Sequence, residues 1–205
     1  MNSSELRRTA LSYLGCRKDV TPQMTALLEE GLSEAQRLSR FRAVAKTFEK
    51  PLPFLRQEPY AAFLAGCTGY ALVAMTLGAE GERRVRALMT LDPARAVVLD
   101  ACLSAYIEYE GDRWESCLGE NRTYRFCPGY GGSDVSDNRY LFAALEPSRI
   151  GMQLLPAGMM APQKSMVGIV GLGKKAVKSC ADCMAAAGCI YRKEGRRCYD
   201  SGKSF

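Results

Sequence analysis

Seven consecutive residues, Arg125-Phe126-Cys127-Pro128-Gly129-Tyr130-Gly131, combine an anion-binding fork, a stiff turn and an aromatic plate. The arginine guanidinium can clasp a carboxylate through two parallel charge-assisted hydrogen bonds. Pro128 fixes one backbone angle, while Gly129 and Gly131 permit conformations and close approaches that a side chain blocks. Tyr130 adds a flat face and a hydroxyl. Together these groups suit a zwitterionic, aromatic-bearing small molecule. The same residues also make an ordinary Pro-Gly turn beside a surface arginine, which composition alone favours.

A second constellation lies near the C-terminus, where Cys180-x2-Cys183-x5-Cys189-x8-Cys198 places four thiols within nineteen residues. The first pair has a spacing that chelates one ion, and Gly188 permits a turn that returns Cys189 to it. Four thiolates can enclose zinc tetrahedrally or hold an iron-sulfur cluster, and spacing does not choose between them. Lys174, Lys175, Lys178, Arg192, Lys193, Arg196 and Arg197 surround the thiols, and their charge favours the thiolate form. The plainer alternative is a solvated basic tail with free cysteines. Cys16, Cys67, Cys102, Cys117 and Cys127 fall mostly in apolar contexts, where cysteine serves as a small packing residue.

The chain has no histidine, which removes the usual general base, the commonest metal ligand and the second member of hydrolytic triads. Chemistry must then lean on a bound cofactor, a partner, or carboxylate and tyrosine groups. The formal charge of +6 does not by itself point to nucleic acid, because the basic residues are spread out except near the C-terminus. No aromatic-basic motif of an RNA-binding sheet is present either, so no nucleic-acid partner is expected. No apolar run approaches membrane-spanning length, so no membrane partner is expected. The opening MNSSELRRTALSYLG lacks an apolar core with a small-residue cleavage site, so a cytoplasmic location is expected. There, cysteines are thiols or metal ligands rather than a disulfide framework.

The elements that must position these groups follow from periodicity. At 205 residues the chain suits one core and a tail, with residues 1–173 as the domain and 174–205 as the basic four-cysteine tail. Helical spacing predicts helices over Ser3 to Leu14 and Thr21 to Leu38, and alternation predicts a strand over Phe41 to Phe48. A short helix covers Pro59 to Gly66. The apolar run Gly69 to Leu77 reads as a buried strand, followed by a helix from Ala79 to Met89. Asp92 and Pro93 open a long helix running towards Cys117. Strands at Thr123 to Cys127, Ile150 to Leu155 and Met166 to Leu172, with a helix near Asp137 to Leu145, complete an α+β fold. Its mixed or antiparallel sheet packs with helices.

The order of these pieces resembles a known family. Leu99-Asp100-Ala101-Cys102 on the long helix precedes Arg125-x-x-Pro128-Gly129-Tyr130, then Ile150-Gly151-Met152, then Met160-Ala-Pro162-x-x-Ser165. That order resembles the activation domain of vitamin B12-dependent methionine synthase, and more closely the free-standing activation subunits. The resemblance covers roughly residues 5 to 173, and Arg-x-x-Pro-Gly-Tyr is its most specific part.

The resemblance implies binding of S-adenosylmethionine and support for reductive remethylation of cob(II)alamin. The cobalamin would be carried by a partner methionine synthase or other corrinoid protein, with electrons from a flavodoxin- or ferredoxin-like donor. The chain would then be a component, acting in trans, of a cobalamin-dependent methyltransferase. By the same resemblance Arg125 would hold the methionine carboxylate, Gly129 would let backbone approach, and Tyr130 would line the site. Cys127 stands where the family has a small residue. Glu108 would meet the sulfonium or amino group, and Glu120 is one step from the place of a family acidic residue that falls here on Gly119. The segment Gly132 to Asp137 is more polar than the family usually has. Two alternatives stay open at this point: reactivation of a different corrinoid methyltransferase, and a metal-stapled interaction protein with a disused pocket.

Overall fold

The computed structural model describes residues 3–16, 20–176 and 190–193. Among the described residues of 3–172 there are six α-helices and five strands, with short 3-10 turns between them. They are α1 (Ser3–Tyr13), α2 (Pro22–Leu38), β1 (Arg42–Phe48), α3 (Tyr60–Leu64), β2 (Gly69–Thr76), α4 (Glu80–Leu91), α5 (Pro93–Glu115), α6 (Asn138–Leu145), β3 (Gln153–Leu154), β4 (Met160–Ala161) and β5 (Ser165–Leu172). A helical turn, Ile190–Lys193, lies beyond them. The four tail cysteines expected to hold metal, Cys180, Cys183, Cys189 and Cys198, lie outside the described residues.

β1, β2 and β5 form an antiparallel sheet in the order β1-β2-β5, so the expected α+β class is what the chain adopts. β2 is central and buried on both faces, which is why its sequence is an unbroken apolar run. Ala71, Val73 and Met75 point into a core shared with α1, α2, α4 and α5. Tyr70, Leu72 and Ala74 point into a second core under α6, with Leu141, Leu145 and Met152. α5 is the longest element at 23 residues and the spine of the first core. Its N-terminus is capped by the Asp92 carboxylate, which accepts from the Arg95 amide at 3.1 Å.

Two charged ties fasten the helical layer. Glu34, buried in α2, accepts from Arg84 Nε at 2.7 Å and from Arg95 at 3.3 Å, joining α2 to α4 and α5. A buried carboxylate needs such partners to offset lost hydration. Lys164, in the turn before β5, reaches back to Asp100 at 2.8 Å and to Ser104 Oγ at 2.8 Å on α5.

The expected strand at Thr123 to Cys127 does not form. The segment lies along the free edge of β5 but makes only isolated bridges, Arg122 to Leu172 and Phe126 to Ile169. Four residue steps on one side meet three on the other, so an extra residue breaks the ladder. The Thr123 hydroxyl fills part of the gap by accepting from the Gly171 amide at 2.8 Å. Ile150 to Leu155 also departs from expectation. Ile150 ends a 3-10 turn and Gly151 is left-handed, leaving only Gln153–Leu154 to pair with β4.

Candidate functional site

The bulged segment decides where Arg125 goes. Phe126 enters the second core, so its neighbour Arg125 projects through the opposite face, toward α5. Its path runs over Gly168 of β5, where an added Cβ would sit 2.4 Å from Arg125 Cγ. The guanidinium then passes under Gly111 of α5. A Cβ at Gly111 would stand 3.1 Å from Arg125 Nη1, 2.6 Å from Met166 Cε and 2.7 Å from Met75 Sδ. One glycine on the strand and one on the helix thus form a slot that a long cation can cross.

At the far end of the slot the guanidinium meets carboxylates. Arg125 Nη2 donates to Glu108 Oε2 at 2.7 Å and stands 3.7 Å from Asp112 Oδ1, while Nη1 donates to Glu115 Oε1. These three acids are four and three residues apart on α5, so they share one stripe of the helix. The Arg125 side chain is 5% exposed, Glu115 likewise 5%, and Glu108 39%. Glu115 is therefore the buried partner and Glu108 the one facing outward. Both terminal nitrogens of the fork seen in the sequence are engaged by protein carboxylates.

Electrostatics follow from this burial. Burial works to lower the Arg125 pKa, yet Glu115, Cys127, Glu108 and Asp112 outweigh it and the guanidinium is held above its ordinary value. Burial pushes the Glu115 carboxyl above the usual carboxylate range, although Arg125 pulls the other way. Cys127 is pushed up to about 11, by burial first, with Arg125 opposing and Glu108 adding. Its thiol stays protonated at neutral pH and is not a nucleophile.

Tyr13, at the end of α1, joins the group. Its hydroxyl is raised by burial and then by Glu108 and Tyr130, with Arg125 pulling it down, so all four lie within electrostatic reach. The two side chains are nevertheless only partly covered, Tyr13 53% and Tyr130 63% exposed. Tyr130 sits on a turn in which its amide donates to the Cys127 carbonyl at 3.2 Å. Gly129, at φ +93°, supplies the left-handed bend there, but its amide donates to Ser133 Oγ at 3.1 Å. The bare backbone anticipated at Gly129 is thus tied inward by the polar segment after the motif.

Hollows flank the arginine knot on either side. One of about 210 Å³ between α1 and α5 is bordered by Glu5, Thr9, Glu108 and Asp112. Another of about 620 Å³ is bordered by Asp112, Glu115, Glu120, Arg122, Arg125 and Lys175. Glu120 lies there, on the Glu115 side. The structure thus gathers Arg125, Glu108 and Cys127, with Tyr130 coupled to them through Tyr13, while Glu120 borders a hollow with Arg125 on the Glu115 side. Sequence reasoning passed over Tyr13, Asp112, Glu115, Gly111 and Gly168. One signal was present: Glu108-x-x-Gly111-Asp112-x-x-Glu115 is an acidic stripe around a mid-helix glycine, a residue that costs about 1 kcal/mol relative to alanine.

Among the described residues no group of three or more His, Cys, Asp or Glu could hold a metal ion. Cys16, Cys67, Cys102, Cys117 and Cys127 are free thiols. Cys102 is buried as expected of a packing residue, whereas Cys117 is exposed on a 3-10 turn. No helix among the described residues is long and apolar enough to cross a membrane.

Fold and site together define an α+β domain with a three-stranded antiparallel sheet, whose edge carries an arginine clamped by carboxylates of the longest helix. No protein-family model matches the sequence, and no curated protein matches it. The fold is similar to that of a solved structure, the MetH reactivation domain bound to AdoHcy, with a TM-score of 0.60 at 15% identity. The match covers 94% of this chain and 83% of that one. The methionine synthase reactivation fold, to which the sequence motifs pointed, is the architecture observed here.

Proposed function

We propose that this chain binds S-adenosylmethionine and supports reductive remethylation of cob(II)alamin on a partner methionine synthase or a related corrinoid protein. The observation that carries this is the Arg125–Glu108 pair, its arginine threaded past two glycines and within electrostatic reach of the exposed Tyr13, in a fold shared with a reactivation domain. A zwitterion is the natural complement of an ion pair. Inserted between the two residues, its carboxylate takes Arg125 Nη2 and its ammonium takes Glu108. Glu115 then remains on Nη1. The adjoining hollow of about 620 Å³, with Glu120 on its rim, falls within the size range of small-molecule sites. Cys127 contributes a protonated, packed thiol, and Gly129 with Tyr130 shapes the turn beside the ligand.

Methyl transfer from a sulfonium to reduced cobalt releases a neutral thioether and needs no protein acid or base. Positioning is what the chain must supply, which accords with a histidine-free sequence. Residues 1–173 would form the ligand-binding domain and residues 174–205 a metal-binding tail. Cys180, Cys183, Cys189 and Cys198 would hold zinc or an iron-sulfur cluster there. A flavodoxin- or ferredoxin-like protein would supply the electron, and the site of action would be the cytoplasm.

A second reading has one observation behind it. Both terminal nitrogens of Arg125 are already held by Glu115 and Glu108, as in a structural staple of a metal-bearing interaction protein. Calorimetry with S-adenosylmethionine decides. Saturable binding that is lost in Arg125→Ala supports the first reading, and no binding to the folded wild type leaves the second.

A further inference from the structure

Arg125 has two terminal nitrogens in unlike surroundings. Nη1 lies with Glu115, both side chains 5% exposed, and Nη2 lies with Glu108, which is 39% exposed. Exchanging the outer partner for a ligand carboxylate uncovers little, because Glu108 already meets water. Exchanging the inner one strands a charge, since Glu115 has lost its hydration and it is the Arg125 guanidinium that donates to it. The slot adds a second restraint. Gly168 admits the aliphatic stem, with Arg125 Cγ, Arg125 Cδ and the Phe126 carbonyl oxygen 2.4, 2.8 and 3.1 Å from where a Cβ would sit. A methyl added there would have to displace the stem or the Phe126 carbonyl, so the path of the side chain depends on Gly168 at one end, and Glu115 holds the guanidinium at the other.

We infer that Glu115 is a positioning residue: it holds Arg125 Nη1 so that Nη2 presents to the carboxylate of the bound ligand, while Glu108 is the partner that the ligand replaces. This rests on the proposed function and adds a division of labour between two glutamates that their common pairing with one arginine would not suggest. A positioning role predicts selectivity by ligand end. Ligands that carry the amino-acid carboxylate feel the loss of Glu115, whereas ligands that lack it do not.

The test measures affinities of the full chain for S-adenosylhomocysteine, which has the amino-acid end, and for 5′-methylthioadenosine, which lacks it. In Glu115→Gln the first affinity should fall tenfold or more and the second stay within twofold, with Glu115→Asp recovering part of the loss. Gly168→Ala disturbs the same arginine without removing a charge and should show the same selective loss, so it carries the test if Glu115→Gln fails to fold. Equal loss of both ligands in these variants, or no loss of either, overturns the inference. Absence of S-adenosylhomocysteine binding in the folded wild type instead overturns the functional reading beneath it.

Discussion

Arg125 passes over β5 only because the strand has no side chain at Gly168: a Cβ there would fall 2.4 Å from Arg125 Cγ, inside any tolerable contact. The residue that gives the motif its chemical character thus depends on a glycine forty-three positions later in the chain. Its partner Gly111 completes the slot from the helix side.

Removing the guanidinium should be felt twice. Arg125→Ala is expected to weaken S-adenosylmethionine binding by an order of magnitude or more, from loss of charge-assisted bonds worth roughly 1.5–3 kcal/mol. It also leaves Glu115 buried without its cation, which for a broken buried pair costs about 3–5 kcal/mol of stability. Calorimetry reads the first effect and urea denaturation the second. Unchanged affinity in a folded variant would refute the ligand role.

Glu115 should give stability a characteristic pH dependence. Burial raises its folded pKa above the unfolded value, despite Arg125. A raised pKa means that the folded state binds the proton more tightly, so the contribution is fully present below the ordinary carboxylate pKa. It is lost as pH rises through the folded value. The stability of wild type relative to Glu115→Gln should therefore increase as pH drops through that window. Denaturant midpoints of both proteins across the acid range check it, and a flat difference would show that burial does not dominate.

Gly111→Ala sets two effects against each other. Alanine improves helix propensity by roughly 0.5–1 kcal/mol, whereas overpacking a tight core costs about 1–3 kcal/mol. The new methyl meets Met166 Cε at 2.6 Å, Met75 Sδ at 2.7 Å and Arg125 Nη1 at 3.1 Å. The methionine tips can yield, but the clamped guanidinium has less room. Net destabilisation is expected, and a raised melting temperature would show that the slot is looser than its geometry.

Alkylation should separate the cysteines by burial. Cys127, its thiol raised to about 11, is expected to resist iodoacetamide at neutral pH, while exposed Cys117 reacts well before it. Peptide mapping by mass spectrometry gives the order, and rapid labelling of Cys127 would contradict a packed, protonated thiol.

The tail is expected to carry one metal centre held by Cys180, Cys183, Cys189 and Cys198. Anaerobic purification followed by absorption spectra and analysis for iron, sulfide and zinc identifies it. Cys180→Ala with Cys183→Ala should abolish the bound metal. Stoichiometric zinc in a colourless protein would end any electron-relay role, and absence of metal would reduce the tail to a basic extension.

Much of the scaffold was legible because local rules govern it. Thr21-Pro22 and Asp92-Pro93 announce α2 and α5, and each cap makes its expected side-chain bond, at 3.2 and 3.1 Å. The apolar run at Gly69 marks the central strand. The segment at Thr123 to Cys127 was not legible as it is, since its apolar content suits a strand and only the register against β5 reveals the extra residue.

For the site, sequence alone determined the inventory: an arginine before a Pro-Gly-Tyr turn, acids on a long helix, no histidine, and four clustered thiols. What the arginine touches was decided only by tertiary structure. Glu108, Asp112 and Glu115 are ten to seventeen residues from Arg125, and Gly168 lies on another strand, so no local pattern couples them. Their meeting depends on a bulge that turns Arg125 toward α5 and on two missing side chains that let it through. Burial then separates two chemically identical glutamates into a fixed partner and an exposed one, a distinction that accessibility creates and residue type cannot express.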